Sequence, residues 1–237
     1  MTPLVFVHGF MGGSDQWQKQ DTLGVGRDLI RVDLPGFGKN AHLPPVNSIA
    51  DFANWVLSEI TVERFDLLGH SMGGMIVQEM VRRAPERVER LILYGTGAVG
   101  VLPGRFEPIE TSMHRAKDEG ANATARRIAA TWFLQREKAE PYPECAAIAE
   151  ASTLPAILAG LEAMQNWSGV DHLPQIACPT LIVWGDSDRT YAWPQIEQLW
   201  QDIPTSNLAV IPNAAHAVHM ERPRLFNQLI EGFLAHA

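Results

Sequence analysis

Short apolar, often β-branched runs recur along the 237-residue chain, at Leu4 to Val7, Leu29 to Leu34, Phe65 to Leu68, Leu91 to Tyr94, Thr180 to Trp184 and Leu208 to Ile211. They lack strict apolar/polar alternation, which suits strands covered on both faces. Between them lie segments with helical periodicity. Ser48 stands as an N-cap, with Asp51 three residues later, ahead of Phe52, Trp55, Val56 and Ile60. Met72 to Arg83 repeats the pattern through Met75, Ile76 and Met80, with Pro85 just beyond, and Pro223 to Leu234 reads as a closing helix. Strands alternating with helices imply parallel pairing through right-handed crossovers. The predicted fold is therefore α/β: a doubly wound, mostly parallel sheet of about six strands, flanked by helices.

The alternation stops between Gly97 and Ala177. Here the periodicity predicts four short helices, at Ile109 to Glu119, Ala121 to Leu134, Pro143 to Ala151 and Pro155 to Asn166, with no strand. The chain accordingly divides into a core, residues 1–97 and 178–237, and a helical lid insertion, residues 98–177. Loops at the carboxyl ends of parallel strands gather around ligands, so the insertion is expected to cover the site. Its large apolar residues Met113, Trp132, Phe133, Met164 and Trp167 are candidates to line a substrate pocket, although such residues more often pack a core. Arg105 and Arg189 could reach a substrate carboxylate, but loop arginines are mostly solvated and both are left unassigned.

Gly69-His70-Ser71-Met72-Gly73-Gly74 joins the Phe65 strand directly to the helix at Met72. This G-x-S-x-G pattern, in a strand, sharp turn and helix context, lifts a serine hydroxyl above the sheet, and the helix N-terminus favours negative charge there. An acid is expected after a later strand, where Asp186 and Asp188 both follow Thr180 to Gly185. Candidate bases are His8, His216 and His219.

With His8-Gly9-Phe10 and Asp33-Leu34-Pro35-Gly36-Phe37-Gly38 added to the serine motif, the chain resembles the α/β-hydrolase superfamily over nearly its whole length outside the insertion. The resemblance implies a serine hydrolase. Trp184-Gly185-Asp186-Ser187-Asp188 is similar to the family's W-G-x-x-D, which makes Asp188 the acid and leaves Asp186 to the turn. Ala215-His216 through Pro223 is similar to G-H-x-x-x-x-E-x-P, which makes His216 the base, with Ala215 in place of the usual glycine. The order Ser71, Asp188, His216 is the order this fold uses. The backbone N–H groups of Phe10 and Met72 are the implied oxyanion hole. His8 is expected to hold the oxyanion loop by hydrogen bonding, His219 to be structural or at the pocket edge, and Glu221 to stabilise the following turn or cap the last helix.

The formal charge of −8 and the absence of a long Lys/Arg run argue against nucleic acid, and no membrane partner is expected. The first ten residues lack a basic leader, so a cytoplasmic location is the default expectation. Cys145 and Cys178 give neither a disulfide framework nor a ligand spacing, and H-E-x-x-H is absent, so no metal and no cofactor are expected. The expected partner is a small-molecule substrate, and the expected state a monomer or homodimer. A small, mostly apolar carboxylic ester or lactone, cleaved through an acyl-enzyme, is the favoured substrate class.

Two alternatives stay open. One is C–C bond chemistry of the meta-cleavage or menaquinone-synthase type, although Met75, His70 and Ala217 depart from those families. The other is a hydrolase-fold receptor or signalling protein with slow turnover. Relatives with aspartate at the elbow, the haloalkane dehalogenases and epoxide hydrolases, are excluded by Ser71.

Overall fold

The computed structural model describes residues 1–101 and 107–236. Six parallel strands form one sheet in the order β2-β1-β3-β4-β5-β6: β1 Leu4–Val7, β2 Leu29–Arg31, β3 Phe65–His70, β4 Val88–Tyr94, β5 Thr180–Gly185 and β6 Ser206–Ile211. Strands β1 and β3 are buried along their whole length, as their apolar runs require, whereas the edge strands β2 and β6 are largely half-exposed. One polar residue inside β3, Asp66, is buried and paired with Arg27 at 3.1 Å and Arg90 at 3.0 Å.

Helices α1 (Ile49–Glu59) and α2 (Met72–Arg83) pack one face of the sheet through Phe52, Val56, Met75, Ile76 and Met80. The opposite face is covered by Trp17, in a 3-10 stretch over Ser14–Gly24, and by Phe226 and Ile230. These two apolar clusters make the fold doubly wound. Helix α1 begins where the sequence places it, with Ser48 Oγ accepting from Asp51 N at 3.3 Å.

Between β4 and β5 run α3 (Ile109–Glu119), α4 (Ala121–Thr131), α5 (Tyr142–Glu150) and α6 (Leu154–Gln165). The two ends of this insertion are zipped together by an antiparallel bridge between Val99 and Ser168, with Gly169 N donating to Ala98 O at 2.8 Å. After β5 come α7 (Trp193–Asp202), the single turn α8 (Val218–Glu221) and α9 (Pro223–His236). No single helix among the described residues is long and apolar enough to cross a membrane.

The direction in which successive strands are added reverses between β1, which leads outward to β2, and β3, which leads the other way. The loops leaving β1 and β3 therefore part around a crevice at the carboxyl edge, the place where open parallel sheets bind ligands.

Candidate active site

Ser71 caps α2 immediately after β3 with φ 56° and ψ −121°, a conformation that costs a non-glycine residue energy. The surroundings hold it there. Ser71 N donates to Tyr94 O at 3.0 Å, while Ser71 O accepts from Gly74 N and from Thr96 Oγ1, each at 2.8 Å. Gly73 permits the close approach of α2 to β1, since a Cβ there would lie 2.2 Å from Val7 O and 2.5 Å from His8 O. That contact sets the helix N-terminus beside the loop that carries Phe10. Among the described residues no hydrogen bond engages the amide N–H of Phe10 or of Met72. The Phe10 ring meets Phe37 edge-on at 5.9 Å and rests against α6 at Gly160.

The loop after β5 and the loop after β6 bring Asp188 and His216 together. His216 Nδ1 donates to Asp188 Oδ2 at 2.8 Å, with both side chains essentially buried. The other oxygen, Asp188 Oδ1, accepts from Thr190 N at 2.7 Å and Tyr191 N at 3.3 Å. A carboxylate so engaged fixes the proton on Nδ1 and leaves Nε2 as the basic nitrogen. Gly95, at φ +51°, backs this pair, since a Cβ there would stand 3.3 Å from His216 Nδ1 and 3.6 Å from Asp188 Oδ2. Among the described residues the Asp186 carboxylate makes no such contact and accepts only from its neighbour Ser187 Oγ at 3.0 Å.

Tyr94, the last residue of β4, links the serine to the histidine. Its backbone carbonyl holds the Ser71 amide, and its hydroxyl donates to His216 O at 2.7 Å. His70 Nε2 donates to the same carbonyl at 3.2 Å, and its ring stacks on Tyr94 with centroids 4.4 Å apart. Neither residue is given a part in the site by the sequence reading. The available signal was a tyrosine ending a buried strand, whose hydroxyl must find a partner.

The other two candidate bases, His8 and His219, hold structural places. His8 donates from Nδ1 to Gly9 O at 2.8 Å and accepts at Nε2 from Leu34 N at 3.0 Å, which joins the Phe10 loop to the loop after β2. Burial pushes its pKa down to about 4. His219, expected to be structural or to line the pocket edge, takes the structural place and does not line a pocket. It is buried on the α9 side of the sheet, its ring tilted against Trp17 with centroids 4.5 Å apart, it donates from Nδ1 to Tyr94 Oη at 3.0 Å, and burial lowers its pKa to about 3.

Of the insertion residues proposed for a pocket, Trp132 lies by the site, its ring 6.3 Å from that of His216. Trp167 does not. Its indole N–H donates to Glu79 Oε1 at 3.1 Å, about two turns along α2 from Ser71, and it bolts the insertion to the core. Phe133 is fully buried against Tyr142, Met164 is buried with its carbonyl facing Gly100, and half-buried Met113 packs on the main apolar cluster. Arg189 is committed to the insertion, donating to Phe133 O at 2.9 Å and Leu134 O at 3.3 Å, and Arg105 lies outside the described residues. Glu221 also departs from its expected part: neither turn nor helix cap, it accepts from Leu134 N and from Ala215 N, each at 2.7 Å. No cluster of three or more metal-ligating side chains occurs among the described residues.

Residues 2–223 match the family model of the α/β-hydrolase fold. The chain belongs to the α/β-hydrolase family. Among its relatives, the pimeloyl-[acyl-carrier protein] methyl ester esterase of Pectobacterium atrosepticum is 27% identical, the alignment covering 98% of this chain and 94% of that one. A thermophilic esterase from Thermogutta terrifontis superposes with a TM-score of 0.86 at 26% identity, covering 99% and 90% of the two chains. The enol-lactonase from Burkholderia xenovorans LB400 shares the fold with a TM-score of 0.89 at 21% identity, covering 99% and 92%. Within this hydrolase fold the strained Ser71 turn, the two unengaged amides and the Asp188–His216 pair all stand at the carboxyl edge of the sheet.

Proposed function

We propose that the protein is a serine hydrolase of a small, mostly apolar carboxylic ester or lactone, working through an acyl-enzyme. Ser71 Oγ attacks the carbonyl carbon while His216 Nε2 takes its proton, and Asp188 holds the imidazole in the required tautomer and stabilises the imidazolium. The amides of Phe10 and Met72 receive the oxyanion. His216 then returns the proton to the leaving alcohol, and a water activated by the same nitrogen releases the acid. The observation that carries this reading is the 2.8 Å bond from His216 Nδ1 to Asp188 Oδ2, which aims Nε2 away from the acid. The insertion acts as a lid, and Trp132 beside His216 lends the site its apolar wall. The esterases and the lactonase among the similar proteins support the substrate class.

The test is a panel of p-nitrophenyl esters of graded acyl length, simple lactones and a meta-cleavage dienoate, assayed with wild type and Ser71→Ala. Ester or lactone turnover that falls by about 10³-fold or more in Ser71→Ala is the expected result. Turnover of the dienoate alone moves the protein to C–C chemistry, and tight binding without turnover moves it to the receptor class. Activity that survives in Ser71→Ala removes the nucleophile.

A further inference from the structure

Glu221 uses one carboxylate oxygen on each of two backbone amides that belong to different parts of the molecule. Oε1 takes Leu134 N, in the turn that ends α4, and Oε2 takes Ala215 N, the residue before His216. The same turn is held at three further points: Trp132 O accepts from Ala217 N at 2.9 Å, and Phe133 O and Leu134 O accept from Arg189. The residues on either side of His216 are thus tied outward to the insertion, by Ala215 through Glu221 and by Ala217 directly, while His216 O is tied inward to Tyr94 and His70. Arg189, the residue after Asp188, is tied to the same turn. From this geometry we propose that Glu221 is a positioning residue for the base. It couples the seating of the Trp132–Leu134 turn to the placement of His216, so this edge of the insertion is an anchor of the catalytic machinery and not a flap. The inference rests on the reading of His216 as the base.

Only a side chain with two acceptor oxygens satisfies both amides. Glutamine keeps the length and one acceptor but turns an NH2 donor on the other amide, which frees either the turn or the histidine loop. In Glu221→Gln, with p-nitrophenyl butyrate and rates expressed per Ser71 titrated by a fluorophosphonate, kcat is expected to fall by about tenfold or more, with KM within about threefold, the scale of one lost charge-assisted hydrogen bond at a positioning site. Titration per site removes unfolded molecules from the rate. Glu221→Asp keeps both acceptors and is expected to recover part of the lost kcat. A Glu221→Gln enzyme with unchanged kcat, a loss confined to KM, or an equal loss in both variants overturns the inference while Ser71→Ala remains inactive. Turnover in Ser71→Ala overturns instead the reading beneath it.

Discussion

At the scale of single residues, the choice between Asp188 and Asp186 turns on what each carboxylate touches. Asp188 divides its oxygens, Oδ1 to the amides of Thr190 and Tyr191 and Oδ2 to His216 Nδ1. An asparagine here must turn its NH2 either toward two N–H donors or toward the imidazole, and the second choice forces the proton onto Nε2, where it blocks the base. Asp188→Asn is therefore expected to lower kcat on p-nitrophenyl butyrate by about 10⁴-fold, the scale of a wrong histidine tautomer. Asp186→Asn, which alters a carboxylate that accepts from Ser187 Oγ, should stay within a few-fold of wild type; the reverse ranking would reassign the acid. Ser71 is legible from its strand, turn and helix context, whereas Asp188 and His216 are picked from neighbouring candidates only by the resemblance to the family's W-G-x-x-D and G-H-x-x-x-x-E-x-P. Their supports were not legible. Tyr94 reaches His216 across 122 positions, His70 reaches it across 146, and Glu221 reaches Leu134 across 87, and no local pattern records such contacts. For the same reason the sequence points Glu221 only at its local turn or the last helix, since only the fold brings the end of α4 to its side.

At the scale of elements, patterns served best where burial and backbone chemistry agreed. Helix α2 spans Met72–Arg83 in both the periodicity and the structure, because the serine turn starts it and Pro85 follows its end. Strand β2 is shorter than its apolar run, closing at Arg31, since Leu34 N is drawn to His8 Nε2 instead of continuing in the ladder. Strand β6 is longer, because Ser206 and Asn207 pair with Thr180 and Leu181 through backbone groups that need no apolar side chain. The 3-10 stretch Ser14–Gly24 left no periodic signal in SDQWQKQDTLG, yet it buries Trp17 completely. The seating of α2 on β1 yields a prediction at this scale. Gly73→Ala would place a methyl 2.2 Å from Val7 O, a backbone atom with little room to yield. The helix must retreat, at a cost of about 1 to 3 kcal/mol of stability, and it carries the Met72 amide away from Phe10. Urea unfolding should report the first effect and kcat the second. Retention of both wild-type values would show that the approach of α2 to β1 does not set the oxyanion site.

For the whole molecule, six strands and four insertion helices were legible, but the seating of the insertion on the core was not, because backbone carbonyls and long polar side chains make the joint. Beneath that joint burial holds His8, His70 and His219 neutral. Burial lowers His8 to about 4 and His219 to about 3, and burial, reinforced by the neighbouring His216 and His219, holds His70 well below the ordinary value of 6.5. In the unfolded chain all three titrate near that ordinary value. As pH falls below about 6.5, the unfolded state binds protons that the folded state refuses, so stability drops with a slope of up to about 1.4 kcal/mol per pH unit for each histidine. The stability is fully present above the unfolded pKa and is lost through the window down to the folded values near 4 and 3. Urea midpoints at pH 7, 6 and 5 should therefore decline steadily, in a range where most carboxylates stay ionised and contribute little to the slope. His219→Gln, which removes one of the three titrations, should make the decline shallower even if it lowers the midpoint at pH 7. A midpoint that stays level from pH 7 to pH 5 would mean that these imidazoles gain protons inside the folded protein. His8 would then carry a proton on Nε2 as well as Nδ1, and its bond from Leu34 N, which links the Phe10 loop to the loop after β2, could not exist as drawn.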